Sequence, residues 1–467
     1  MTDNGLYVKT RPNCSPGYWL CTLIPLAYIT SNVHSRKCST IDNFEYQMLS
    51  VTSVGLCLQS LIFYVYVNFQ TGIIKKVVYL FLPGLLTAFL YKTYLHQSFA
   101  VSFFWGFAVT LTYQFFYVRT LTYLPESFSF GEATVVNQGF TLFLLNSILQ
   151  IPRYLHQTPD GTFSEFNAIM ITALTGLAGL TVVLAVLKFT RNAFIFYPLL
   201  ISYAGFTCLV PVTKELPIEV LFDYVTGDLR NIFLLMYYFG LVVATVCVVS
   251  WKSSEDEKAS TSTRKWFHGL TVLVFIPGVL FQCSFLYLAT GVAFAVMTIF
   301  EIIRVAGIPP FEDFLKQAFK TFCDEKDCGL LAVTPFYLLI GCSLPLWISP
   351  CPCLVSDTAS KKDLLQLLSG VLTVGIGDTA ASVFGSRFGR CKWSRNNRSV
   401  EGTLAFIVTV SLSIAALYFL KLLLIDSIAK LLIVVAAVIV TSLMEAFTDQ
   451  VDNLVLPLVF YSIVSFG

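Results

Sequence analysis

The sequence predicts an all-α, polytopic integral membrane protein, and three observations carry that prediction. Of 467 residues, 56% are hydrophobic and 12% charged, more apolar surface than ordinary soluble domains keep from water. Apolar runs recur from about Trp19 to the C-terminus, each long enough to cross a hydrocarbon layer, giving about 13 to 15 spans. Short joints holding Pro, Gly and charges separate them.

The first run, from Tyr18 to Thr30, contains Pro25 and lacks the basic flank and small-residue cleavage site of a secretory signal, so a retained first span and targeting by signal anchor are expected. Residues 1–250 read as a transmembrane scaffold. Its interior Gln138, Asn146 and Gln150 are expected to hydrogen-bond between neighbouring helices rather than line a lipid groove. Residues 251–265, charged and rich in Ser and Thr, read as a solvated linker. Residues 266–467 then form a second transmembrane domain, with spans at about 266–282, 284–305, 330–350, 366–385, 404–420 and 431–447 and a short apolar end at 454–467.

Counting crossings puts the loops 251–265, 306–329 and 386–403 and the segment from Glu445 on one side, and 351–365 and 421–430 on the other. The 386–403 loop carries Arg387, Arg390, Lys392, Arg395 and Arg398 before its first acid, Glu401. Such a basic excess in a short loop marks the cytoplasmic face. The sequon at Asn397, completed by Ser399, is therefore expected to carry no glycan. The 13 cysteines form no CxxC pair and read as small buried hydrophobes, the Cys351–Cys353 cluster included. A net charge of +2 selects no partner class, and nothing points to nucleic acid. The absence of a repeat of fixed period weighs against a transporter built from inverted halves.

Chemistry concentrates on the predicted cytosolic side. Asp378 sits near the end of a span among small residues, and a carboxylate at membrane depth is costly enough to be functional by default. Gly377, Ala381 and Gly385 share a helical face that lets a helix or a ligand approach the backbone. The cations of 387–398, with Ser386, Ser394 and Ser399, suit a polyphosphate without a Walker loop. Glu445, Asp449 and Asp452 form one acidic stripe if their helix continues, and stacked acids call for a positive partner such as a divalent ion. Lys265 and His268 enter one span at this level, and Glu301 and Arg304 leave the next, as a catalytic contribution or as a plain intrahelical pair.

These residues resemble the dolichol kinase family over roughly 264–458. The motifs are RKWFH at 264–268, EIIR at 301–304, DEKDCG at 324–329, SLPLW at 343–347, GDTAASVFGS at 377–386, KW at 392–393, VEGT at 400–403 and EAFTDQVDNLVLPL at 445–458. RKxFH, EIxR and GDxxAS are similar also to CTP-dependent phytol and diacylglycerol kinases and to phosphatidate cytidylyltransferases; the long N-terminal half, DEKD, SLPLW and DQxDN favour the dolichol kinase resemblance. Where that family usually follows KW or RW with Pro-Gly-Thr-Lys-Lys-Thr, this chain runs from Ser394 to Ser399 without the Pro-Gly turn, with Asn397 at one lysine position and Arg398 at the other.

The resemblance implies transfer of the γ-phosphate of CTP to dolichol or another long polyprenol, at the cytosolic face of the endoplasmic reticulum membrane. It assigns CTP to Lys265, Ser386, Arg387, Arg390, Lys392, Trp393, Arg395, Arg398, Ser399, Glu401 and Gly402. Asp378, His268, Asp449 and Asp452 are the expected catalytic residues. Asp378, Glu445, Asp449 and Asp452 are the expected ligands of a divalent ion, Mg2+ or Ca2+.

Overall fold

Within a hydrocarbon layer no water is at hand for the backbone, so each apolar run satisfies its N–H and C=O groups inside one helix. The computed structural model is built this way: among the described residues there is no strand, only an isolated bridge between Lys392 and Ser399. It describes residues 9–466 apart from 36–42, 69–72, 157–158, 160, 212, 214, 254–260, 321–326, 351, 354–357 and 394–397.

A 3-10 turn at Tyr18–Thr22 leads into α1 (Leu23–Ser35), α2 (Asn43–Asn68), α3 (Ile73–Tyr94), α4 (Phe99–Tyr123), α5 (Phe130–His156), α6 (Thr162–Val186), α7 (Ala193–Leu209), α8 (Pro217–Gly227) and α9 (Leu229–Ser253). The second half holds α10 (Thr261–Phe281), α11 (Cys283–Ala306), a short α12 (Glu312–Lys320), α13 (Val333–Ile348), α14 (Leu364–Leu367), a π-helical segment (Val371–Asp378), α15 (Thr379–Phe388), α16 (Val400–Phe419), α17 (Ile428–Phe447) and α18 (Asp452–Val464). Among the described residues nine helices are long and apolar enough to span a membrane, and α7, α13, α18 and the 265–281 stretch of α10 are shorter apolar helices. The protein is an all-α, polytopic membrane protein. Helices α9 and α10 run into the expected linker from both sides.

Two apolar cores meet on α18. Its Leu454, Val455, Leu458 and Tyr461 pack with the N-terminal helices, whereas Leu456, Phe460 and Val464 pack with the C-terminal core. The stretch 364–388 lies at the centre, nearly every side chain from Leu364 to Gly375 being buried. Gln138 and Gln150 tie elements together as expected, whereas Asn146 bonds within its own helix α5. Gln150 bonds Asn146, Tyr154 and Asn167, and Asn167 accepts from Tyr287 of α11. Gln138 donates to the carbonyl of Cys21.

The cysteine expectation is corrected at one place. Cys283, at the start of α11, and Cys353 form a disulfide across 70 residues. Sequence spacing concealed the pair because the α10–α11 joint and the loop after α13 come together only in the fold, where Ala359 N also donates to the carbonyl of Val279. Cys351 lies outside the described residues.

Candidate active site

Four stretches distant in sequence converge at the end of the bundle opposite that disulfide. The start of α10 supplies Lys265 and His268, the π segment ends on Asp378, the hairpin between α15 and α16 supplies Lys392 and Arg398, and the α17–α18 break supplies Glu445 and Asp452. All seven line one cavity of about 680 Å³.

A π-helical stretch widens the turn and is frequent at functional sites. Here it delivers a buried Asp378 to the cavity wall. Asp378 Oδ2 accepts from Lys265 Nζ at 2.6 Å, and His268 Nδ1 stands 3.2 Å away. The small-residue face seats a helix and lines the cavity at once. A Cβ on Gly377 would stand 2.5 Å from the Phe406 ring, and one on Gly402 would stand 2.8 Å from the Ala381 carbonyl, so only small residues let α16 come this close. The outer edge of that face, at Ala381 and Gly385, borders the cavity.

The acidic stripe is corrected. Helix α17 ends at Phe447 and α18 begins at Asp452, so Glu445, Asp449 and Asp452 do not share one helix. The break lets Glu445 and Asp452 face Arg398 together. The guanidinium donates through Nη1 to the carboxylate and carbonyl of Glu445, and its Nη2 lies 3.4 Å from Asp452 Oδ2. Asp449 is turned away from this group: it accepts from the backbone N–H of Ser15 at 2.6 Å and from the Ser15 hydroxyl at 2.8 Å.

The residues expected to bind nucleotide divide into two groups. Lys265, Ser386, Lys392, Arg398, Ser399 and Gly402 border the cavity. Arg387 and Arg390 are exposed and do not border it. Glu401 and Trp393 build the hairpin. Glu401 accepts from Arg390 N and Cys391 N, each at 3.0 Å, and the Trp393 indole donates to Thr403 Oγ1 while its ring meets Phe447 edge-on. The bonds Trp393 N to Arg398 O and Val400 N to Cys391 O close that hairpin; residues 394–397, with Arg395, lie outside the described residues. Glu301 and Arg304 are a bidentate intrahelical pair that also anchors the approach to α13 through Ala332 N and the Leu330 carbonyl. They do not border the cavity.

Sequence reading expected the polyprenol tail in a groove between spans but named none of the residues of the cavity's apolar arm. Beyond the charged end its wall is Leu270 and Phe275 of α10, Met297 of α11, and Pro335 and Leu338 of α13. Thr334 stands at the junction, its hydroxyl buried and without a hydrogen-bond partner. Asp327, the last acid of the 324–327 motif, caps α13 by accepting from Val333 N and Thr334 N; that motif is the one signal that could have drawn attention here.

Comparison with known proteins identifies the family. The family model described as dolichol kinase matches residues 35–336. The Dolichol kinase of Mus musculus is 32% identical over 368 residues, 75% of this chain and 67% of that relative. The chain belongs to the dolichol kinase family. Dolichol kinase EVAN of Arabidopsis thaliana is 35% identical over 242 residues, 50% of this chain and 40% of the plant protein. Dolichol kinase sec59 of Schizosaccharomyces pombe is 33% identical over 208 residues, 44% and 39% of the two chains. No solved structure matches. The stretch matched by the dolichol kinase family model takes in Lys265, His268 and Thr334 and ends before Asp378.

Among the described residues no three His, Cys, Asp or Glu stand ready to hold a metal by themselves. Mg2+, however, usually takes one or two carboxylates and completes its shell with water and substrate phosphates. Asp378, Glu445 and Asp452 are hard oxygen donors on one cavity and fit that mode. Lys265, Lys392 and Arg398 balance these three acids in formal charge, so a triphosphate would bring charge that the cations alone do not offset.

Proposed function

We propose that this cavity transfers the γ-phosphate of CTP to the terminal hydroxyl of dolichol, giving dolichyl phosphate and CDP. The observation that carries the reading is a single space with a charged end and an apolar arm, which suits a polyphosphate meeting a lipid alcohol. Transfer forms a bond from the dolichol oxygen to Pγ and breaks the bond from Pγ to the bridging oxygen, which leaves with CDP. The hydroxyl proton passes to an acceptor at the charged end, where the His268 imidazole and the Asp378 carboxylate stand together.

Phosphoryl transfer depends mainly on positioning and charge neutralisation. Lys392 and Arg398 would hold the phosphates, with Lys265 released from Asp378 toward the developing charge. Asp378, Glu445 and Asp452 would hold the divalent ion, whose chemistry is to neutralise phosphate oxygens. The apolar arm would take the first isoprene units. The whole cavity follows α10 for ten residues, from Lys265 at its charged end to Phe275 in the arm, ~15 Å at 1.5 Å per residue, about half of a hydrocarbon core.

We place this end in the cytosol and the protein in the endoplasmic reticulum membrane. The basic hairpin supports that side, and the disulfide at the opposite end suits an oxidising lumen. The test supplies purified protein with dolichol, Mg2+ and CTP labelled in the γ-phosphate or in the cytidine, with Asp378→Asn as control. Label from the γ-phosphate alone on the lipid is expected. Cytidine label on the lipid would make the enzyme a cytidylyltransferase, and equal product from Asp378→Asn would remove this site from the reaction.

A further inference from the structure

The α17–α18 break sets Glu445 and Asp452 around Arg398, and the groups that fix it come from the other end of the chain. Glu132, at the start of α5, is fully buried. Its Oε1 accepts from Val451 N at 3.0 Å and from Arg11 Nη2 at 2.5 Å, and its Oε2 accepts from Ser129 N at 3.0 Å. Val451 immediately precedes α18 and so Asp452. The neighbouring Gln450, also fully buried, accepts from Ser129 Oγ at 2.6 Å and donates to the Ser15 carbonyl at 2.9 Å. Gly17 closes the strap with φ +66°, and a Cβ there would stand 2.6 Å from Gln450 Oε1.

The strap of residues 11–17 and the first turn of α5 thus satisfy the polar groups of a helix break more than 300 residues away in sequence. A buried N–H such as that of Val451 needs an acceptor, and an ionised acceptor held by a second charge gives a short, directional bond. We infer that Glu132 is a positioning residue for phosphoryl transfer: braced by Arg11 and Ser129, it sets the angle at which α18 leaves α17 and thereby the reach of Asp452 toward Arg398. The inference rests on the proposed function for its kinetics but not for its geometry.

Two variants of the full chain in nanodiscs test it. Glu132→Gln puts an amide NH2 against Ser129 N or Val451 N, and Ser129→Ala removes, with little loss of volume, the hydroxyl that donates to Gln450 and accepts from Glu132 N. Spin labels at the exposed Val440 of α17 and Phe466 beyond α18 report the helix angle by pulsed distance measurement. The expected result is a broadened distance distribution in both variants. In the kinase assay kcat should fall, about ten- to a hundredfold in Glu132→Gln and less in Ser129→Ala, with KM for CTP and dolichol held within about twofold. Should Glu132→Gln fail to fold, Ser129→Ala decides. Wild-type distances together with wild-type kcat in the folded variants overturn the inference, whereas a wild type that makes no dolichyl phosphate counts against the proposed function and leaves the distance test standing.

Discussion

Lys265 and Asp378, from helices 113 residues apart in sequence, meet at 2.6 Å with the lysine side chain 15% and the carboxylate 8% exposed. The acid is thus held in place by a cation before any ligand arrives, and its removal is separable into chemistry and stability. Asp378→Asn is expected to lower kcat at least about a hundredfold. Lys265→Met should cost ~3–5 kcal/mol in stability, because it leaves a buried carboxylate without its partner. Pairing Lys265→Met with Asp378→Asn should recover much of that loss without recovering activity. Thermal unfolding beside turnover measures both, and additive stability losses would show that the pair is not coupled.

Among the described residues of its loop, Arg398 is the cation set against Glu445 and Asp452. Arg398→Lys keeps the charge but loses the fork that spans two acids, so KM for CTP should rise about tenfold or more. Arg387→Ala and Arg390→Ala, at exposed positions off the cavity, should leave KM within about twofold. Steady-state kinetics at varied CTP distinguish the three, and a uniform loss would mean that the loop acts only as a diffuse positive field.

Asp449 and Asp452 should part company in the same way. Asp452→Asn is expected to abolish most turnover, whereas Asp449→Asn, which can still accept from Ser15, should retain it within about threefold. Partial burial pushes the Asp449 carboxyl up, but the Ser15 N–H, Gln450 and the Ser15 hydroxyl together bring it below the usual carboxylate range. A depressed folded-state pKa adds stability that is complete above the unfolded value and is lost as pH falls through the folded one. The stability gap between wild type and Asp449→Asn should therefore be constant through neutral pH and close only below about pH 4, as followed by unfolding in acid titration.

Much of the site was legible because membrane chemistry makes polar residues conspicuous. Asp378 and the cations of 387–398 stand out against lipid-facing sequence, and crossing parity put them on one side. Sequence period could not show that α17 stops at Phe447, because the groups that satisfy the break, Glu132 and Ser15, lie in the other half of the chain. Nor could it show that α18 packs into both apolar cores. The Cys283–Cys353 pair was hidden for the same reason: proximity across 70 residues is made by helix packing and leaves no local pattern.

That disulfide and the hairpin give opposite, checkable statements about sidedness. Cys391 is an exposed free thiol on the hairpin beside Lys392, while Cys283 and Cys353 lie at the far end of the bundle as a disulfide. In sealed microsomes a membrane-impermeant maleimide should label a variant whose only free thiol is Cys391, with no permeabilisation. A variant retaining only Cys283 and Cys353 should take label after detergent and reductant together and not after either alone, because a lumenal disulfide is both shielded and oxidised. Asn397 should carry no glycan in the same membranes, since the transferase that would modify its sequon works in the lumen. Labelling of Cys391 only after permeabilisation, or an endoglycosidase-sensitive shift lost in Asn397→Gln, would invert the topology and put the charged end of the cavity out of reach of cytosolic CTP.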